Sequence, residues 1–168
     1  MTEAWVANAS PLILLGRIGR LDLMERLAPS IIVPDAVIAE IRAGEGKDAT
    51  AITALRWAES RRVPDAVVPV SVERWDLGSG ESQVIAHGLA GSRWAVLDDL
   101  AARRCATAHG IRVIGTLGIV LRSKQCGLID WAKPWITKLM AAGMFVDRQL
   151  LERALSLAGE DQSEVGAF

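Results

Sequence analysis

The stretch WAVLDDLAARRCATAHGIRVIG, Trp94 to Gly115, decides the fold. It opens on a short apolar run, Trp94 to Leu97, and closes on a second, Arg112 to Ile114. Between them DLAARRCATAHG has helical spacing, with Asp98 or Asp99 able to cap its start and Gly110 suited to its end. Working outward, the same alternation recurs. Trp5 to Ala7, Ile31 to Val33 and Val67 to Val70 are further strand-like runs. Pro34 leads into DAVIAEIRAG, which closes on Gly44, and Ser79 can cap GESQVIAHGLAG, which closes on Gly91. Strands alternating with helices predict an α/β fold, a three-layer αβα arrangement with a central, mostly parallel sheet.

Leu150, Leu151, Ala154, Leu155 and Ala158 share a helical face and predict a terminal amphipathic helix that needs an apolar surface to lie on. Residues 1–143 are expected to form the domain, 144–158 its C-terminal helix, and 159–168 a polar tail. The Gly-rich, charged loop from Ala43 to Ala49 reads as a mobile surface turn.

The chain has 168 residues, about half of them apolar, enough for one domain that buries roughly 70% of its unfolded surface. A net charge of −1 and a pI near 6.1 argue against a globally basic nucleic-acid binder, so a polyanion would have to be held locally. Charge is unevenly placed: residues 1–90 sum to −3, 91–138 to +5 and 139–168 to −3. Arg103, Arg104, Arg122 and Lys124 fall in the basic third and are candidate phosphate contacts, although such side chains on helix faces are often simply solvated.

No apolar run approaches the roughly 18 residues of a membrane span, and Glu3 with the five-residue run Pro11 to Leu15 makes a poor signal peptide. A cytoplasmic protein is expected. Cys105 and Cys126 form no C-x-x-C, and His109, one turn after Cys105, has no second ligand pair, so both cysteines read as buried thiols and not as zinc ligands.

VANASPLILLG, residues 6–16, places Asn8 where a strand runs into a helix. Three readings compete: a glycosylation acceptor, a capping corner, or a metal ligand. Asn8-Ala9-Ser10 matches N-x-S, but Pro11 follows it and a cytoplasmic chain meets no glycosylation machinery. Ser10 and Pro11 suit an N-cap and first-turn pair. In a doubly wound sheet, ligands bind beyond the carboxyl ends of the strands. Asn8 ends the first strand there, and Asp98 with Asp99 ends WAVL. Glu40 lies in the helix after the second strand, and Glu81 in the first turn of the helix before WAVL.

Singly, each acid has a structural reading: Asp99 as a cap, Glu81 as a complement to a helix dipole, Glu40 as a solvated side chain. Converging, they would repel one another unless a divalent cation neutralised them, and hard oxygen donors suit Mg²⁺ or Mn²⁺. Such ions serve nucleases and phosphatases.

In order, VANASPLILLGRIGRLDLMERL, IIVPDAVIAEI, GSGESQVIAHGLA and VLDDLAARRCATAHGIRVIGTLGIVLRSKQCGLI resemble the PIN-domain superfamily of metal-dependent ribonucleases. The branch they resemble is described as predicted nucleic-acid-binding proteins related to the toxins of toxin–antitoxin pairs. The likeness runs from about Val6 to Gly143. It implies an acidic site at Asn8, Glu40, Glu81 and Asp99, with Asp98 assisting and Ser10 supporting the first ligand. It implies RNA hydrolysis by a metal-activated water, leaving a 5′-phosphate and a 3′-hydroxyl. An RNA substrate and a small antitoxin protein are the partners it suggests; a homodimer is suggested instead by the helices after Trp131, which are apolar enough to need cover. The departure is Asn8, where the family typically carries Asp: an amide oxygen can ligate a cation but brings no charge.

His87 lies six residues after Glu81, roughly 240° around the helix, so the two do not share a face. His109 precedes Gly110 at a helix end, where an imidazolium complements the dipole. GSGES and GTLG lack the full phosphate-loop and dinucleotide patterns. Trp131 and Trp135, four apart, could stack bases but fit core or interface packing. Two other readings stand beside the ribonuclease: a non-catalytic RNA- or partner-binding module of the same fold, and a metal-dependent phosphatase for small phosphoesters.

Overall fold

The computed structural model describes residues 3–44, 46 and 48–160. Its elements run β1 (Ala4–Ala7), α1 (Ala9–Arg17), α2 (Asp22–Leu27), β2 (Ser30–Pro34), α3 (Asp35–Gly44), α4 (Ala51–Glu59), β3 (Arg62–Val63), α5 (Val70–Glu73), α6 (Ser79–Gly91), β4 (Trp94–Val96), α7 (Leu100–Ala108), β5 (Val113–Ile114), α8 (Thr116–Gln125), α9 (Lys133–Ala141) and α10 (Arg148–Leu157). The strands form one sheet in the order β3-β2-β1-β4-β5. Every pairing is parallel, with Trp5 opposite both Ile31 and Trp94, and Ala95 opposite Val113. The expected three-layer α/β fold is present.

Right-handed crossovers explain the layers. Moving from β1 to β2 to β3 puts α1 to α4 on one face, whereas stepping back across the sheet to β4 and on to β5 puts α5, α6 and α7 on the other. The packing agrees in the main: α1 meets α3, α4, α8 and α9, and α6 lies across β1, β2 and β4 beside α5 and α7, while α3 and α6 also meet each other across the two layers. β1, β2 and β4 are short and largely buried on both sides, which is why they read as apolar runs without alternation. One hydrophobic cluster extends from Trp5 to Leu155, and the Trp5 and Trp94 rings stack across β1 and β4 at 6.3 Å.

Several local expectations need correction. Val67 to Val70 is not a strand. The third strand is Arg62–Val63, and the VVPV run leaves Val67 93% exposed before α5 begins. Pro64 precedes that run and Pro69 interrupts it, and the missing N–H of proline denies the ladder a donor. Ser10 is not an N-cap: α1 starts at Ala9, with Asn8 in the capping position and Ser10 and Pro11 inside the first turn.

Ser79 likewise lies inside α6, whose N-cap is Gly78, and the left-handed residue that ends this helix is Ser92 instead of Gly91. Pro34 ends β2 rather than opening α3. Cys105 is buried as expected, but Cys126 is exposed, because it falls at the C-cap of α8.

α10 forms where the amphipathic pattern places it. Ala154 and Leu155 are buried, and Leu151 and Ala158 pack against the core. The Ala43 to Ala49 loop falls partly, and the polar tail mostly, outside the described residues. No helix among the described residues is long and apolar enough to cross a membrane.

Candidate functional site

The strand order reverses between β1 and β4, so the chain leaves the carboxyl ends of these neighbours in diverging directions and opens a crevice. Asn8 stands at the end of β1 and Asp98 just past β4. A cleft of about 1100 Å³ opens there, lined by Asn8, Ser10, Glu81, Asp98, Asp99 and Arg103 among others.

Asn8 is 3% exposed, and its backbone N–H continues the ladder to the Val96 carbonyl at 3.1 Å. Although it occupies the N-cap of α1, its side chain caps nothing. Nδ2 donates to Glu81 Oε1 at 3.3 Å, and Oδ1 is buried without a partner. A buried amide oxygen with nothing to accept is costly, typically by about 1–3 kcal/mol. Glu3 Oε2 and Trp5 Nε1 are also buried without partners, but only Asn8 Oδ1 belongs to a residue that lines the cleft.

The two aspartates have separated roles. Asp99 is the N-cap of α7 and accepts from the Ala102 N–H at 2.9 Å. Asp98 is gripped by three donors: Ser10 Oγ at 3.2 Å, Thr116 N at 2.8 Å and Thr116 Oγ1 at 2.7 Å. Ser10 therefore supports Asp98 across the crevice and makes no bond to Asn8. Beside them the Arg103 guanidinium bonds the Leu97 carbonyl at 3.0 Å. It lies so close to Gly115 that a Cβ there would meet Nη1 at 2.5 Å.

Glu81 sits at the third position of α6 and Glu40 at the sixth of α3, so these acids reach the sheet edge from different layers. Glu40 Oε1 accepts from the Gly80 N–H at 3.0 Å. Burial pushes the Glu40 carboxyl above its ordinary range; the Gly80 bond opposes this, and the nearby Glu81 charge adds to it. Glu40 thus neighbours Glu81 but does not line the cleft.

Of the predicted basic cluster, only Arg103 lines the cleft. Arg122 pairs with Glu3 and lies over the Trp94 ring, and Lys124 bonds Glu160 and the Ala158 carbonyl. Arg104 is exposed on α7. His87 is bonded to the Pro64 carbonyl, and His109 bridges Cys105 and Ser71; neither reaches the cleft. Trp131 is exposed with Lys124 over its ring, and Trp135 lies between Arg20 and Lys138.

Arg17 and Arg153 were missed as cleft residues, and Thr116 as the buried support of Asp98. Thr116 had a signal: it comes just past the end of β5, one residue beyond Gly115, as Asn8 comes at the end of β1. The two arginines had none, since their place depends on how α1 and α10 pack.

The donors that line the cleft are hard oxygens, and the orphaned Asn8 Oδ1 fits a cation such as Mg²⁺ or Mn²⁺. Among the described residues, no three His, Cys, Asp or Glu side chains come close enough together to hold a metal ion by themselves. A parallel sheet covered on both faces, with a cleft at its switch point that carries Asn8, Glu81, Asp98 and Asp99 among mostly apolar walls, defines an α/β domain. A family model described as a PIN domain matches residues 4–160, and the chain belongs to that nuclease-like family. No curated protein and no solved structure gives a match.

Proposed function

We propose that this protein is a Mg²⁺- or Mn²⁺-dependent ribonuclease that hydrolyses RNA phosphodiesters, leaving a 5′-phosphate and a 3′-hydroxyl. The observation that carries the reading is the buried, unpartnered Asn8 Oδ1 beside Glu81 in a cleft shared with Asp98 and Asp99. Asn8, Glu81, Asp98 and Asp99 are the residues that would hold the cation, with Glu40 adding negative charge behind Glu81. When bound, the cation supplies a water activated as nucleophile and offsets the charge that builds on the phosphoryl group.

The chain's own part is orientation. Ser10 and Thr116 fix the Asp98 carboxylate, the Asn8 amide fixes Glu81, and Arg103 at the cleft wall can hold a phosphate of the strand. Because the Asn8 amide is neutral, metal affinity is expected to fall below that of a site with a carboxylate in its place.

The test is cleavage of a labelled single-stranded RNA in Mn²⁺ by the native chain, Asn8→Asp, Asp98→Asn and Asp99→Asn. Weak native cleavage, a gain with Asn8→Asp and a loss with either aspartate variant are expected. Asn caps helices about as well as Asp, so a loss in Asp99→Asn reports the site and not the fold of α7. Equal cleavage by the native chain and both aspartate variants would sink the assignment.

A second reading, an RNA-binding module without cleavage, is favoured by the neutral Asn8 and by the absence, among the described residues, of three clustered acids. Salt-dependent RNA binding with no cleavage in any variant would establish it. The toxin role adds a partner protein. Leu100, Phe145 and Leu157 stand exposed at the cleft rim and suit an apolar cover. Co-purification with the product of an adjacent small gene tests it.

A further inference from the structure

The turn Gly78-Ser79-Gly80-Glu81 enters α6 with two glycines that the backbone does not require. Gly78 has φ −60° and ψ 161°, open to any residue, and stands at the N-cap, where Ser, Asp or Asn would cap the helix. Gly80 is inside the first turn and has no positive φ; there glycine is a poor helix former.

Space explains both. A Cβ on Gly78 would stand 2.5 Å from Glu81 Oε2, and the three nearest atoms are all of the Glu81 carboxylate. A Cβ on Gly80 would meet Glu40 Oε1 at 2.6 Å and Glu40 Cδ and Oε2 at 2.9 Å, again with no other residue among the three nearest atoms. The Gly80 N–H completes the second seat with its 3.0 Å bond to Glu40 Oε1. Each glycine therefore leaves the volume that one acidic head occupies.

We propose that Gly78 and Gly80 are positioning residues whose missing side chains fix where the Glu81 and Glu40 carboxylates lie, and thereby set the affinity of the cleft for a divalent cation. The proposal rests on the metal-dependent reading above. A methyl group at either position displaces the end of a flexible side chain and leaves the backbone alone, so the fold tolerates it while the carboxylate loses its place.

The experiment measures Mn²⁺ affinity by calorimetry and the thermal midpoint without metal. It compares the full native chain, Gly78→Ala, Gly80→Ala, Glu40→Asp and the double variant Glu40→Asp/Gly80→Ala. Gly80→Ala is expected to keep or raise the midpoint, since alanine is the better helix former inside the turn, and Gly78→Ala to hold or slightly lower it, since alanine is the poorer N-cap. Mn²⁺ binding is expected to weaken about 10- to 100-fold in Gly78→Ala, as loss of supporting contacts to metal ligands typically does, and less in Gly80→Ala, whose acid stands behind the cleft. The double variant is expected to bind better than Gly80→Ala, because the shorter acid withdraws from the new methyl group.

Native Mn²⁺ affinity in both glycine variants overturns the positioning role and leaves the metal reading intact. So does a lowered midpoint with no recovery in the double variant, which marks Gly80 as a packing residue. A native chain that takes up no Mn²⁺ overturns the metal reading and this role with it.

Discussion

Thr116 is fully buried, and both its amide and its hydroxyl end on Asp98. Thr116→Val keeps the shape but withdraws the hydroxyl, leaving Asp98 Oδ2 with the Ser10 hydroxyl alone. A lost bond to a charged group is expected to cost about 1.5–3 kcal/mol, measured by urea unfolding at neutral pH. Glu40 behaves oppositely. The residue is exposed overall, and the partial burial of its carboxyl, the leading cause, raises it above 4.5, so the fold disfavours its charged form to an extent that solvent screens. The stability linked to Glu40 is fully present below that pH and declines as pH rises through the folded value. Glu40→Gln should therefore raise the thermal midpoint at neutral pH and leave it unchanged near pH 4, where the native acid is already neutral; an equal shift at both would refute the burial account. At this scale strand ends, legible as transitions in residue type, pointed to Asn8 and to the Asp98-Asp99 pair, while Glu81 was read at a helix start. Asp99 was expected to be the last ligand with Asp98 assisting, yet Asp99 caps α7 and Asp98 takes the three donors, because the partner of each of two adjacent acids depends on the helix start and on Thr116, across the sheet.

α7 shows what a whole element adds. Asp99 spends its carboxylate on the Ala102 N–H, so Asp99→Ala removes a cap and should destabilise the protein by about 1 kcal/mol, whereas Asp99→Asn should not. α10 gives a sharper test of domain organisation. Leu155 is 1% exposed within the single core cluster. If α10 belongs to the same cooperative unit, Leu155→Ala should lower stability by about 2–5 kcal/mol in one urea transition seen alike by helix signal and tryptophan fluorescence. A separate early transition would mean that the helix is only appended. Long helices with a clear apolar stripe, such as α10, were legible. The two-residue strand Arg62–Val63 was not, because its pairing is imposed by β2, while the more apolar Val67 to Val70 advertised a strand that its prolines forbid.

For the molecule as a whole, a net charge of −1 coexists with a cleft whose lining includes Arg103 and Arg153, together with Arg17, which is paired with Asp48 and the Ala142 carbonyl. If Arg103 and Arg153 meet phosphates, the slope of log affinity against log salt for single-stranded RNA should be about −1.4. A slope near zero would remove them from the interface. The basic third of the sequence overstated this surface, since Arg122 and Lys124 are committed to Glu3 and Glu160.

The same architecture sets a timetable. The bond from Asn8 to Glu81 spans 73 positions and that from Ser10 to Asp98 spans 88. The central strand lacks one neighbour until Val96 has been made, and the grip on Asp98 waits for Thr116. A growing chain emerging from the ribosome thus carries Asn8 long before Asp98 and Thr116. Under the proposed activity, an enzyme that cuts RNA stays harmless to the message and ribosome producing it until Thr116 has emerged and closed on Asp98.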